Sequence, residues 1–197
     1  LIIGPLEQLI KNNNLDPRTK GLLTTARRNT HRLLRLINQI LDFRKIKDGE
    51  EKLTLNQTDL VNFTYEIYRC FENLASDHHI SYSFKSDMKE VKMEFDLEKI
   101  DKIIFNFISN AFKYTPDYGE IICTIKKNKT LIPQEENKTF RTGSLDNGFI
   151  EIGISDSGYG IDQNELHKIF ERFYHGKNES VPSSDIGLSI SKDYALI

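Results

Sequence analysis

The chain has 197 residues, of which 38% are hydrophobic and 28% charged, and its net charge is −2; this is an ordinary globular composition, enough for one cored domain and a smaller appendage. It contains no apolar run near the roughly eighteen residues of a membrane span and no leader-like order of basic, apolar and small residues. Cys70 and Cys123 fit no metal-ligand spacing and suit a reducing, cytoplasmic compartment. Residues 1–52 carry a net +5 and the remainder −7; no aromatic residue before Phe43 interleaves the basic ones, so the stacking platform of a nucleic-acid binder is missing and no nucleic-acid partner is expected.

Residues 1–11 place Ile3, Leu6 and Ile10 on one helical face. Pro5 is either the first residue of a helix or a kink in a longer one. Asn12 to Pro17 is turn chemistry. A long helix is expected over about 18–47, where Leu23, Ala26, Thr30, Leu33, Ile37 and Ile40 alternate spacings of three and four, an a/d seam widened by Leu34 and Leu41. A helix with one apolar stripe needs a partner. Either the first segment or a second copy of the chain supplies it, the latter giving a four-helix bundle. Asp48-Gly49-Glu50 reads as the helix end and a linker.

The rest reads as alternating α and β. Strands are expected over 52–58, 80–84, 91–95, 120–126 and 149–155. Asp59 is expected to cap a helix over about 60–76, and Asp96 one running to Phe112. The second helix carries Ile100, Ile103, Ile104, Phe107 and Ile108 as its buried face, with Phe105 also expected to pack inward. The polar stretch 127–148 is too long for a tight hairpin and reads as an exposed insertion.

Four segments carry chemistry. Asn106 and Asn110 are one helical turn apart, so both amides project from one face; a side-chain carbonyl there suits a hard cation such as Mg²⁺. Asp156-Ser157-Gly158-Tyr159-Gly160-Ile161 follows a strand and sets one carboxylate before spaced glycines, letting backbone approach a ligand closely. Lys168 to Tyr174 reads as the end of an amphipathic helix with aromatic anchors. Asp185-Ile186-Gly187-Leu188-Ser189-Ile190 leads into a helix whose first N–H groups are free to hold phosphate.

Each segment alone also has a plain structural explanation. In order, they resemble the signature of histidine kinases: NFISNAFKYT the N box, DSGYGI the first glycine box, IFERFY the phenylalanine box, and DIGLSIS a degenerate second glycine box. RNTHRLLRLINQILDFRKIKDG resembles the second dimerisation-hairpin helix of that family, and LIIGPLEQLI the segment that follows its phosphoacceptor motif. The chain is especially similar to the hybrid two-component sensors of gut Bacteroidetes. The resemblance implies an α+β architecture: a helical hairpin over residues 1–49, then an ATP-binding α/β sandwich over 50–197 with a mixed sheet packed on helices.

The resemblance also implies roles. Asn110 would coordinate Mg²⁺ and Asn106 line the phosphate site. Lys113 would neutralise phosphate charge, and Tyr114 pack near the adenine. Asp156 would accept a hydrogen bond from the adenine amino group, with Gly158, Gly160 and Ile161 forming the turn beneath the base. Phe170 and Phe173 would anchor a lid, and Gly187 and Leu188 offer N–H groups to the phosphates. The cofactors would be ATP and Mg²⁺. The partners would be a second copy through the hairpin and a response-regulator receiver domain, in cis or in trans. The whole protein would be a membrane-anchored sensor with this portion cytoplasmic.

Three departures stand out. None of His31, His78, His79, His167 and His175 has the neighbours of the family's phosphoacceptor; His31 is followed by Arg32 and Leu33, and the acceptor is expected before Leu1. Ser183 and Asp185 replace the first two glycines of the second glycine box, and position 175 is His where Arg is common. The closing strands expected after the last helix do not appear before Ile197. The alternatives are another ATPase of the same superfamily, disfavoured by the heptad helix, and a dimerising scaffold with little nucleotide binding, favoured by the eroded box.

Overall fold

The computed structural model describes residues 3–10, 15–48, 51–128, 148–172, 174 and 186–197. The chain divides into two compact units, Leu1–Glu51 and Lys52–Ile197.

The first unit holds α1 (Ile3–Ile10) and α2 (Pro17–Lys47), which contact each other. Pro5 falls in the first turns of α1. Asp16 starts α2: its carboxylate accepts from the Arg18 and Thr19 amides at 3.0 Å, and Pro17 takes the first helical position, where no N–H is needed. On the seam, Leu23, Ala26 and Thr30 are half-buried, whereas Leu33, Ile37 and Ile40 are 58%, 45% and 54% exposed. The C-terminal half of the stripe is therefore bare in a single chain. The expected turn at Asn12–Asn14 and the stop at Gly49 lie outside the described residues.

The second unit begins with a two-stranded antiparallel ribbon of β1 (Leu55–Asp59) and β3 (Lys92–Asp96). Each strand ends in an aspartate with two jobs. Asp59 caps α3 (Leu60–Arg69) through the Val61 and Asn62 amides and also accepts from the Val91 amide at 2.8 Å. Asp96 caps α5 (Leu97–Tyr114) through the Lys99 amide and accepts from the Thr54 amide at 2.8 Å. The caps thus fix the ribbon to the helices it feeds.

The expected single helix over 60–76 is broken. α3 ends at Arg69 and α4 (Glu72–Asp77) restarts after Cys70-Phe71, whose amides bond to the Ile67 and Tyr68 carbonyls in tight three-residue turns. Phe71, at the break, lies in the core: it is 6% exposed and stacks 5.5 Å from Phe112.

The mixed sheet has the order β2 (Ser81–Ser86), β4 (Glu120–Asn128), β5 (Phe149–Asp156). β2 runs parallel to β4, and β4 antiparallel to β5. On β4, Ile121, Cys123 and Ile125 are fully buried; burial pushes the Cys123 thiol up to about 11. The core joins Ile67 and Phe71 to Ile104 and Ile108 of α5, with Ile152 and Ile154 of β5 packed against them. Each such isoleucine contributes about 1.5–3 kcal/mol by leaving water. Residues 129–147, most of the insertion expected at 127–148, lie outside the described residues.

One correction concerns α5. Phe105 does not pack inward; it is 39% exposed and leans on Phe71, with ring centres 4.8 Å apart. Lys99, in the first turn, is buried. Its Nζ lies 3.0 Å from Asp96 Oδ2 and donates to the Lys52 carbonyl at 2.9 Å. Burial alone would raise the Asp96 carboxyl; the Thr54 and Lys99 amides and the Lys99 ammonium outweigh it and hold Asp96 below the usual carboxylate value.

Removing one partner of a buried pair strands the other, at a cost of about 3–5 kcal/mol. Asp96→Ala is therefore expected to destabilise this unit by an amount that follows pH. A lowered carboxyl stabilises fully above its unfolded value near 3.8, and that contribution fades as pH falls through the lower folded value. Urea unfolding of both proteins at a series of pH values checks this: the two stabilities should converge on the acid side, and a constant gap would contradict the ion pair's role.

Candidate active site

α5 is the axis of the site. Asn106, Asn110 and Tyr114 are each four residues apart and form one stripe along it, about 12 Å from first to last at 1.5 Å per residue. A separate stripe of Ile104, Ile108 and Ala111 faces the core. Asn106 and Asn110 are half-buried and Tyr114 is 38% exposed.

At the Asn106 end lies α6 (Gly187–Ala195). Asn106 Nδ2 donates to Ser191 Oγ at 2.9 Å. A Cβ on Gly187 would collide with the Asn106 amide, so glycine here permits close packing of α6 on α5. Gly187, expected only at the phosphates, thus also packs on Asn106, and Ser191, with no expected role, bonds to it. Ile186 is the N-cap of α6 and makes no side-chain capping bond. Leu188 is half-buried in its first turn.

At the Tyr114 end lies the turn after β5. Asp156, at the strand end, is exposed and accepts from the Gly158 amide at 2.9 Å. A Cβ on Gly158 would stand 2.6 Å from both Asp156 Oδ1 and the Tyr114 carbonyl. Gly160 has φ +71, a backbone that L side chains rarely adopt. Tyr159 and Ile161 are 71% and 51% exposed. Lys113 Nζ donates to Tyr114 Oη at 2.9 Å and lies 4.6 Å from its ring centre, which sets a cation beside this end of the stripe.

One further residue here was missed in the sequence. Thr115 follows Tyr114, is 7% exposed, and its hydroxyl has no hydrogen-bond partner among the described residues. A buried hydroxyl left unpaired costs about 1–3 kcal/mol, which suits a group that a ligand or water completes. Nothing in a Tyr-Thr-Pro string signals that burial; it arises where α5 meets the loop before β4.

The phenylalanine-box segment is not the helix end its pattern suggests. Residues 163–170 form consecutive turns, tied by bonds such as Lys168 N–H to the Glu165 carbonyl at 2.8 Å. Phe170 is half-buried, and Arg172 bonds to Asp193 of α6 at 3.1 Å. Phe173, His175, Ser183 and Asp185 lie outside the described residues. So the structure joins Asn106 to Gly187, and Tyr114 to Gly158, with Asn110 between them on the helix.

A polar helix face, one end closed by another helix's N-terminus and the other by a carboxylate and a glycine turn, has chemically distinct ends suited to an elongated anionic ligand with a polar ring. Residues 95–196 match the family of histidine kinase-, DNA gyrase B- and HSP90-like ATPases. The chain belongs to that family.

Within it, the chain is 32% identical over 201 residues to histidine kinase P4 of Formosa agariphila, covering 99% of this chain and 13% of that protein. It is likewise 32% identical over 200 residues to hybrid signal transduction histidine kinase D of Dictyostelium discoideum, covering 100% of this chain and 12% of that protein. The chain thus spans about an eighth of the length of these curated relatives. The fold is shared with full-length ShkA, a structure determined in complex with AMPPNP, at a TM-score of 0.73 and 20% identity over 98% of this chain and 37% of that one. This ATPase-family chain is therefore similar to histidine kinases along its whole length.

The two glycines of this turn are testable by stability alone. Gly158→Ala is expected to cost about 1–3 kcal/mol by overpacking against the Tyr114 carbonyl, and Gly160→Ala about 1–2 kcal/mol through its left-handed backbone. Chemical denaturation of both variants checks the pair.

Proposed function

We propose that the chain is the kinase portion of a two-component sensor histidine kinase, with a dimerisation hairpin over residues 1–49 and an ATP-binding catalytic domain over 50–197. The observation that carries this reading is the stripe of Asn106, Asn110 and Tyr114, bracketed by Gly187 and Gly158. Family membership, and similarity to histidine kinases along the length of this chain, support it.

In this reading Asp156 accepts a hydrogen bond from the adenine amino group and so selects adenine over a base with a carbonyl there. Gly158, Gly160 and Ile161 let the chain pass beneath the base, and Tyr114 packs beside it. Asn106 and the first N–H groups of α6, at Gly187 and Leu188, serve the phosphates, and Lys113 neutralises their charge by leaving Tyr114 Oη, to which it is bonded in the structure. Phe170 and Phe173 anchor the lid. Mg²⁺ in phosphoryl-transfer sites takes few protein ligands beside phosphate and water, and the half-buried Asn110 offers one side-chain oxygen on the site's face of α5. Asn110 would hold it by its side-chain carbonyl, and the ion would offset phosphate charge during transfer.

The reaction is in-line transfer: an imidazole nitrogen forms a bond to the γ-phosphorus as the bond to the β,γ-bridging oxygen breaks, and ADP leaves. The chain's own contribution is positioning and charge neutralisation, where such catalysis resides. None of the five histidines has the acceptor's neighbours, so the acceptor is assigned to a histidine before Leu1, and no residue of this chain is a covalent intermediate. The phosphoryl group then passes to an aspartate of a response-regulator receiver domain.

The bare seam of Leu33, Ile37 and Ile40 supports a homodimer through the hairpin. Among the described residues no helix is long and apolar enough to cross a membrane; the membrane anchor and cytoplasmic placement rest on the resemblance to sensor kinases. The eroded second glycine box, Ser183 and Asp185, favours one other reading, a dimerising scaffold that binds little or no nucleotide.

Calorimetry with Mg·ATP separates the two, because the scaffold predicts no binding. Asp156→Asn is expected to weaken ATP by about tenfold or more, the worth of a hydrogen bond to a charged group; unchanged affinity would remove Asp156 from the adenine site. With γ-labelled ATP, label should appear on an added chain carrying the acceptor hairpin and not on residues 1–197.

A further inference from the structure

Asn106 is committed to α6 before any ligand arrives. Its Nδ2 donates to Ser191 Oγ at 2.9 Å, and its amide lies against Gly187, where a Cβ has no room. Gly187 and Ser191 are four residues apart, so both lie on one face of α6 and the amide spans one turn of it. One turn earlier on α5, Lys102 Nζ donates to Tyr194 Oη at 3.2 Å and sits 5.3 Å from the ring centre. As numbers rise from Lys102 to Asn106 on α5, they fall from Tyr194 to Gly187 on α6. The two helices therefore run antiparallel, and the first turn of α6 is directed along α5 towards Asn110.

Packing alone does not call for serine at position 191. It is 4% exposed, in a helix that already buries Ile190 and Tyr194, and a buried hydroxyl is unfavourable unless bonded. Here the bond goes to a side chain of the site. We propose that Ser191 is a positioning residue for nucleotide binding: through Asn106 it sets where the first turn of α6 stands relative to Asn110. The inference rests on the ATP-binding reading above and adds a residue that the glycine pattern of the second box leaves without a role. It also changes the work of Asn106, which acts on the phosphates through the placement of α6 as well as by proximity.

The effect belongs to the phosphate end. Asp156 and Gly158 sit at the other end of the stripe, two helical turns away, and are untouched by this bond. Loss of the bond should therefore weaken ATP more than a ligand lacking the β- and γ-phosphates.

The test measures binding of ATP and of AMP, each with Mg²⁺, to the full 197-residue chain by calorimetry, with thermal unfolding recorded alongside. Ser191→Ala is expected to weaken ATP by about three- to tenfold, the worth of one hydrogen bond, and to leave AMP unchanged. Ser191→Thr, which keeps the hydroxyl, should recover most of the loss. Equal ATP affinity for Ser191→Ala and the unsubstituted chain would overturn the inference. So would an equal loss for ATP and AMP, the mark of general loosening. Should Ser191→Ala not fold, Ser191→Cys keeps the volume with a weaker hydrogen bond and carries the same expectation. An unsubstituted chain that binds no ATP defeats the ATP reading itself and this inference with it, a result distinct from a chain that binds ATP indifferently to position 191.

Discussion

One helix must satisfy two demands at once. α5 turns Ile104, Ile108 and Ala111 into the core while presenting Asn106, Asn110 and Tyr114 along another stripe. The 3.6-residue period makes this possible, since positions four apart stay on one side while positions two apart do not. The same period turns Lys102 and Asn106 towards α6. Sheet, site and last helix are thus referred to one rod, whose position is set at its start by Asp96 and Lys99.

That start is an unusually polar piece of interior. Lys99 and Asp96 are both buried, and between them they hold the Thr54 amide and the Lys52 carbonyl. A hydrophobic pair would fill the same space without the desolvation cost. The ion pair supplies direction: it fixes the chain entering β1 to the turn that launches α5. Asp59 does related work at the start of α3, so each end of the β1–β3 ribbon is tied to a helix by one carboxylate. The first residues of the ATPase-family unit are thereby fixed to the helix that carries the site.

Much of this was legible in the chain itself. Asp59 and Asp96 stand directly before apolar periodic runs, and both cap the helices expected of them. The i, i+4 asparagines and the strand-end Asp156 with its spaced glycines are local patterns, and local geometry is what a short stretch of sequence encodes. The break at Cys70-Phe71 was not legible, because the stretch keeps helical periodicity; the turn is set by the aromatic cluster of Phe71, Phe105 and Phe112, which draws on residues over thirty positions away. The phenylalanine-box segment likewise keeps an amphipathic pattern yet folds as turns, with Arg172 drawn to Asp193.

By itself the sequence determined the order of elements, the capping aspartates, the apolar seam of the long helix and the identity of the site's polar groups, because each depends on neighbours within a few residues. Only the tertiary structure decided what those groups touch. Gly187 proves to be a packing notch for Asn106, Ser191 its partner, Gly158 a close approach to the Tyr114 carbonyl, and Thr115 a buried hydroxyl without a partner among the described residues. Lys99 is buried against Asp96 and donates to the Lys52 carbonyl, 47 positions away in the chain. These facts depend on pairs far apart in the chain, and their chemistry exists only once α5, α6 and the turn after β5 are brought together.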